Sequence, residues 1–244
     1  MKNKVYCIVF LLCLTMSAKS QNIRVTYQEQ MVPTIQTNDP QMATAMKAQF
    51  SNMKKTMFLF YHKGESSYEP SLNNKENDPI SDQSGSGIKL VMTGSSNTVY
   101  KNQNQQEVIS QEYIMDRKFL ITEPLLNFNW VLSNEEKLIN NFKCKKAVDK
   151  TGNATAWYCP SIPISDGPYI FGGLPGLIIE LSYMNKTVTA LDVTQIKDDE
   201  VKIKKPTDGK AVTREEFNTI QQKKMKEMGA QSQGVNVKID IQKR

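Results

Sequence analysis

Residues 160–179 read PSIPISDGPYIFGGLPGLII. The stretch holds four of the chain's ten prolines and four of its twelve glycines, with an apolar residue in nearly every gap. A solvent loop would be polar, and a helix or strand interior does not tolerate this density of Pro and Gly. The segment is therefore expected to follow a defined, partly buried backbone path. Pro163, Pro168 and Pro175 fix φ, while Gly167, Gly172, Gly173 and Gly176 permit positive φ or close backbone approach. Ile164, Tyr169, Ile170, Phe171 and Leu174 are placed to anchor the path to a core. This is a structural signature, and it identifies no reaction.

The flanks of this stretch read as strands. Residues 142–149 and 154–159 surround Thr151-Gly152-Asn153, which is turn chemistry. Antiparallel pairing about that centre opposes residues whose numbers sum to 303. Cys144 then faces Cys159, the arrangement a cross-strand disulfide requires. Two buried free thiols are the alternative, and no Cys-x-x-Cys pattern points to redox catalysis. On the other side, 177–183 and 187–196 form a hairpin about Met184-Asn185-Lys186.

The two-residue rhythm of half-buried strands recurs over 23–27, 56–68, 88–92, 98–101, 107–115, 117–122, 127–133 and 137–149. Two helices interrupt it. One spans 41–53, with Met42, Met46, Phe50 and Met53 on one stripe. The other starts at Thr213, which forms a capping box with Glu216, and runs to about Met228 before Gly229. Residues 73–87 are polar, and Ser84-Gly85-Ser86-Gly87 reads as a flexible loop. The expected fold class is α+β, mainly β: an antiparallel meander forming a curved open sheet or half-barrel with one or two covering helices.

The ends read differently. Lys2 and Lys4 precede an apolar run over 5–14, and Ala18-Lys19-Ser20 supplies small residues for cleavage before Gln21. Residues 1–20 are thus expected to be a signal peptide, 21–228 one antiparallel-sheet domain, and 229–244 a polar basic tail or edge strand. No later apolar run reaches the length of about 18 residues that a spanning helix needs. The mature chain is expected to be exported, periplasmic or outer-membrane-associated, with no integral membrane segment. The whole chain has 31 basic and 25 acidic residues; loss of Lys2, Lys4 and Lys19 leaves 28 against 25. The excess lies in the C-terminal 48 residues, so the body is near neutral and no nucleic-acid partner is expected.

Residues 173–178 spell GLPGLI, and the chain resembles the GLPGLI family of secreted bacterial proteins. Ala156-Trp157-Tyr158, Ile162-Pro163-Ile164, Gly167-Pro168 and Phe171 follow the family's longer pattern, as does Cys144 followed by Lys145, Lys146 and Ala147. The resemblance is strong over about 130–196. It implies export and carries over no catalytic residue, because the family has no established activity. In arrangement alone, the expected meander is similar to the LolA-like half-barrel of periplasmic lipoprotein carriers. That likeness implies an apolar concave face suited to a lipid-like ligand.

Catalytic and metal chemistry find little support. His62, the one histidine, ends a strand and is expected to be hydrogen-bonded or surface-placed rather than a catalytic base. Gly85-Ser86-Gly87 lacks the strand-to-helix setting of a nucleophile elbow. The methionines sit at helix-core spacing, zinc motifs are absent, and no cofactor is expected. Asp166 and Glu180 could form an acid/base pair, but Asp-Gly-Pro is ordinary turn chemistry and Glu180 alternates toward solvent. Trp157 and Tyr158 face opposite sides of their strand, one of them in the core, and Trp130 is expected in the core. Tyr158, Asp166, Tyr169, Phe171 and Leu174 are the candidate ligand- or partner-binding residues. Gly167, Pro168, Gly172, Gly173, Pro175 and Gly176 are the structural motif. The expected function is non-catalytic binding of an apolar, lipid-like ligand or an outer-membrane partner. The alternatives are a structural or assembly component of the envelope and, third, an enzyme using Asp166 or His62.

Overall fold

Strand β1 (Ile23–Met31) alternates buried and half-buried residues along most of its length, the pattern of a strand packed on one face. It occupies the middle of the molecule. The structure, a computed structural model, describes residues 22–32, 40–51, 54–71 and 97–231. The expected leader, the 73–87 loop, the 88–92 strand and residues 232–244 of the expected tail or edge strand lie outside the described residues. So do the side chains of Met42 and Met46 and all of Met53.

The remaining strands are β2 (Lys54–His62), β3 (Glu65–Pro70), β4 (Thr98–Asn102), β5 (Glu107–Ile114), β6 (Arg117–Pro124) and β7 (Trp130–Ile139). They continue with β8 (Phe142–Asp149), β9 (Ala154–Cys159), β10 (Leu177–Tyr183), β11 (Lys186–Gln195) and β12 (Lys210–Ala211). Helix α1 spans Pro40–Ser51 and α2 spans Arg214–Gln231. All twelve strands belong to one sheet, ordered β12-β6-β5-β4-β3-β2-β1-β11-β10-β9-β8-β7. Every neighbouring pair is antiparallel except β12 with β6. The sheet is open and curved, the fold class the alternating strands imply.

The order is a meander in two arms that meet at β1. From β1 the chain steps outward to β6, then starts again at the far edge with β7 and steps inward to β11. Only residues 125–129 join β6 to β7, a span of at most about 22 Å from Pro124 to Trp130 when extended. Ten strand spacings laid flat would separate those strands by about 48 Å. The sheet must therefore curl until its two ends approach, and the 125–129 segment bridges them over the inner face.

Local chemistry explains the turns. His62 pairs with Glu65 across Lys63 and Gly64, both at positive φ, and Ile139 pairs with Phe142 across Asn140 and Asn141, also both at positive φ. Two-residue turns of this hand match the twist of an antiparallel pair. The expected single runs 56–68 and 137–149 are each split here. At α2 the capping box forms as expected: Thr213 N–H donates to Glu216 Oε2 at 2.9 Å, and Glu216 N–H donates to Thr213 Oγ1 at 3.1 Å. The helix covers the β6 end, where Phe217 meets Phe119 edge-on at 5.5 Å and Arg214 pairs with both Glu112 and Glu123.

Candidate functional site

The signature path leaves β9 at Cys159 and re-enters the sheet at Leu177. Between them it bonds mostly to itself. Ile164 N–H donates to Ile162 O and Asp166 N–H to Ile164 O, two successive three-residue turns. Phe171 N–H reaches Pro168 O at 3.1 Å, and Asp166 bridges Gly172 in antiparallel fashion. Tyr169 sits at φ +53, unusual for a bulky side chain.

The carbonyls that remain are taken by donors from the sheet, as burial of backbone polar groups requires. Tyr27 Oη–H donates to Ile178 O at 2.5 Å, and Trp130 Nε1–H to Gly172 O at 2.8 Å. Lys101 Nζ donates to Gly167 O at 2.6 Å and to Phe171 O at 3.1 Å, and makes an ion pair with Asp166 Oδ1. The path is thus a layer laid against the inner face, fastened from β1, β4 and β7. Burial lowers the Lys101 ammonium from its ordinary range, with the Asp166 carboxylate opposing the shift. Burial also raises the Tyr27, Tyr68 and Tyr169 hydroxyls well above their ordinary value.

Aromatic contacts hold the two ends of the layer. Phe171 stacks on Phe128 at 4.6 Å and meets Tyr183 edge-on at 4.9 Å. Tyr169 lies 4.9 Å from Tyr68, with Lys186 Nζ 5.4 Å above its ring. Its hydroxyl donates to Glu29, which also pairs with Lys186 at 2.7 Å.

A half-open cavity of about 330 Å³ lies where the signature path meets the β4–β5 turn and the 125–129 bridge. Asp166, Lys101, Phe171, Gly172 and Gly173 form its inner wall, with Leu125, Leu126 and Ile170 as apolar lining and Gln103, Gln106 and Asn127 as polar lining. Asp166 is 1% exposed. Its Oδ1 accepts from Lys101 and from Gly167 N–H at 2.6 Å, while Oδ2 has no hydrogen-bond partner among the described residues.

The candidate binding residues separate in space. Asp166, Phe171 and the motif residues Gly172 and Gly173 reach the cavity. Tyr158 and Leu174 are buried in the core beside Ala156 and Leu181, and Tyr169 is half-buried in its contact with Glu29. Gly167 and Pro168 are buried, and Pro175 is exposed. Gly176, at φ +152, passes so close to Cys159 that a Cβ would collide with its carbonyl oxygen. Lys101 escaped sequence reading. Its signal was a lysine in phase with Val99 on a strand of buried residues, which calls for a buried anionic partner.

Other candidates are engaged elsewhere. His62 Nδ1 lies 2.6 Å from Asn22 Oδ1, and half-buried Glu180 pairs with Lys137 at 3.0 Å. Trp130 is half-buried rather than fully in the core, because its indole N–H serves Gly172 at the rim. Tyr158 is the core member of its dipeptide, and Trp157 lies beneath Lys137 and Lys146 on the other face. Strands β8 and β9 take the register summing to 303, with Lys145 opposite Tyr158 and Ala147 opposite Ala156. Both cysteines are nevertheless free thiols. Each is occupied locally: Cys144 Sγ–H donates to Phe142 O at 3.4 Å, and Cys159 Sγ lies 3.0 Å from Ser161 Oγ. Burial pushes the Cys144 thiol up to about 12. Among the described residues no group of three or more His, Cys, Asp or Glu is placed to hold a metal ion, and no helix is long and apolar enough to cross a membrane.

Residues 145–180 match a family model described as "Protein of unknown function (Porph_ging)". No curated protein matches the chain. Two solved structures of PNGF-II, in space groups P21 and C2, are similar to it at TM-scores of 0.51 and 0.52. In both cases identity is 15% over 84% of this chain. The chain spans about a third of those chains, 34% and 33%. At that identity the likeness concerns the fold.

Proposed function

We propose non-catalytic binding of an apolar ligand in the cell envelope for this chain, whose residues 145–180 match the model of a family of unknown function. The ligand site is the cavity beside the signature path. One observation carries this reading: the path that packs the inner face also forms the wall of a partly apolar cavity near the lower end of the range for small-ligand sites. In the same proposal, residues 1–20 direct export to the periplasm or the outer membrane and are removed before Gln21. Export also brings the opposed Cys144 and Cys159 to an oxidant of the disulfide-exchange class. The two thiols give up two protons and two electrons, one S–S bond forms, and the oxidant's disulfide is reduced to two thiols.

Hydrogen exchange tests the site. Protein purified gently from its own envelope is compared with the same protein stripped by organic extraction and refolded. Stripping is expected to speed exchange at Leu125 and across 170–173, with β1 and β11 unchanged. Identical exchange in both preparations would count against the reading.

A second reading, an assembly component that docks an outer-membrane partner, is favoured by edge strand β7. Val131, Leu132 and Leu138 there are 58%, 55% and 65% exposed. A photo-crosslinker at Leu138 that captures one envelope protein in living cells would favour it. Absence of any adduct would remove it.

A further inference from the structure

We propose that the mature chain begins with a closed ring: once residues 1–20 are removed, Gln21 cyclises to a pyroglutamyl residue. The inference rests on cleavage before Gln21 and on nothing about the cavity. Cleavage converts the backbone nitrogen of Gln21 into an α-amino group, placed to close a lactam with its own side chain. The nitrogen lone pair attacks the side-chain carbon Cδ. The N–Cδ bond forms, the Cδ–Nε2 bond breaks, and Nε2 leaves as ammonia with one proton from the amine. The step involves no oxidation or reduction and needs no co-reactant. An α-amino group ordinarily titrates at about 7.7–8.0, so its neutral, nucleophilic form is present around neutral pH.

The structure supplies the reason for the ring to be favoured at this position. An ordinary N-terminus trails into solvent, where an ammonium is well hydrated. Here the packed protein starts one residue later. Asn22 is 4% exposed. Its carbonyl accepts from Ile196 N–H at 3.0 Å, its Oδ1 lies 2.6 Å from His62 Nδ1, and its Nδ2–H donates to Asp198. Ile23, also buried, then opens the central strand, paired with Tyr61 on one side and Gln195 on the other.

The new terminus is therefore joined directly to a residue that its neighbours hold in place, with no tail to carry a charge away. Burial disfavours an ammonium relative to a neutral amide. Asp198, the acid that Asn22 bonds, is exposed, and a pair with so solvated a carboxylate offsets little of that cost. Cyclisation removes the charge and leaves an amide N–H and C=O that can hydrogen-bond. The finished chain offers no α-amine to an aminopeptidase, so the central strand is not trimmed from its start.

Intact and peptide-level mass spectrometry of reduced protein, purified from its own envelope, tests this. Most chains are expected to start at residue 21, to be lighter than the Gln-initiated mass by one ammonia, about 17 Da, and to resist amine labelling at the terminus. Gln21→Ala, which has no side-chain amide, should show its full mass and a labelled α-amine. A synthetic peptide of residues 21–31, carried through the same work-up, sets how much cyclisation handling alone causes. A lactam fraction no greater than in that peptide, or a terminus equally blocked in Gln21→Ala, would overturn the ring while leaving the cleavage site intact. A wild-type chain that retains residues 1–20 or starts elsewhere would overturn both.

Discussion

Lys101 on β4 and Asp166 in the signature path form an ion pair with side-chain exposures of 3% and 1%. Such a pair is seldom a large net source of stability, because two charges must be desolvated to make it. Its effect is positional. Lys101 also holds the Gly167 and Phe171 carbonyls, so one side chain fastens three points of the path to β4.

Removing either partner alone strands a buried charge. Lys101→Met and Asp166→Leu should each lower unfolding stability by about 3–5 kcal/mol, and the double variant should recover much of that loss. Urea unfolding of the three variants closes the cycle. Simple additivity would show that the two side chains are not coupled.

Gly176 and Gly152 differ in what surrounds them, although both have positive φ. At Gly152 a Cβ would meet nothing within 4 Å, so Gly152→Ala should cost only backbone strain, about 1–2 kcal/mol. At Gly176 the Cβ would strike the Cys159 carbonyl oxygen and lie 2.7 Å from its carbon. Gly176→Val should therefore prevent folding or destabilise far more than Gly152→Ala. Equal melting temperatures for the two variants would contradict this packing.

The cysteines make two predictions. In the reduced protein, burial raises the Cys144 thiol from 9.0 to about 12, so the folded state keeps a proton that the unfolded chain loses. Its contribution is fully present below pH 9 and is lost as pH rises toward 12. Relative to Cys144→Ala, reduced wild type should lose stability over that range and nowhere below it. A flat difference curve would show the thiol to be unperturbed.

Oxidised protein from the envelope should carry no free thiol after denaturation. The bond should add about 3 kcal/mol over the reduced form, the value for a loop of about fifteen residues. Two titratable thiols in that preparation would rule the bond out.

Much of the fold was legible because strands and turns write themselves locally. The β8–β9 register followed from Thr151-Gly152, and the β10–β11 hairpin from the polar break at Asn185. Thr213 and Glu216 marked the start of α2. Lys63-Gly64 and Asn140-Asn141 are equally local signals, yet the alternation of 56–68 and 137–149 continues through them, and alternation alone does not distinguish one strand from two joined by a tight turn. The jump from β6 to the far edge could not be read. It depends on the curvature of the whole sheet, and no local pattern encodes that.

The site was half legible. The signature path stood out by composition, and Asp166 by its place in it. What the path touches did not stand out. Gln103, Leu125 and Leu126 come from distant parts of the chain and meet Asp166 only because the sheet curls. The aromatic anchors were also recognisable as apolar, but their direction was not: Phe171 faces Phe128 and Tyr183 in the core, which composition cannot distinguish from facing a ligand.

Native mass spectrometry of wild type and Leu126→Trp, each purified gently from its own envelope, tests the binding account most directly. Wild type should carry a reproducible added mass that is lost on denaturation, and the variant should arrive bare. A bare wild type, or the same adduct on both proteins, would contradict the cavity as the ligand site.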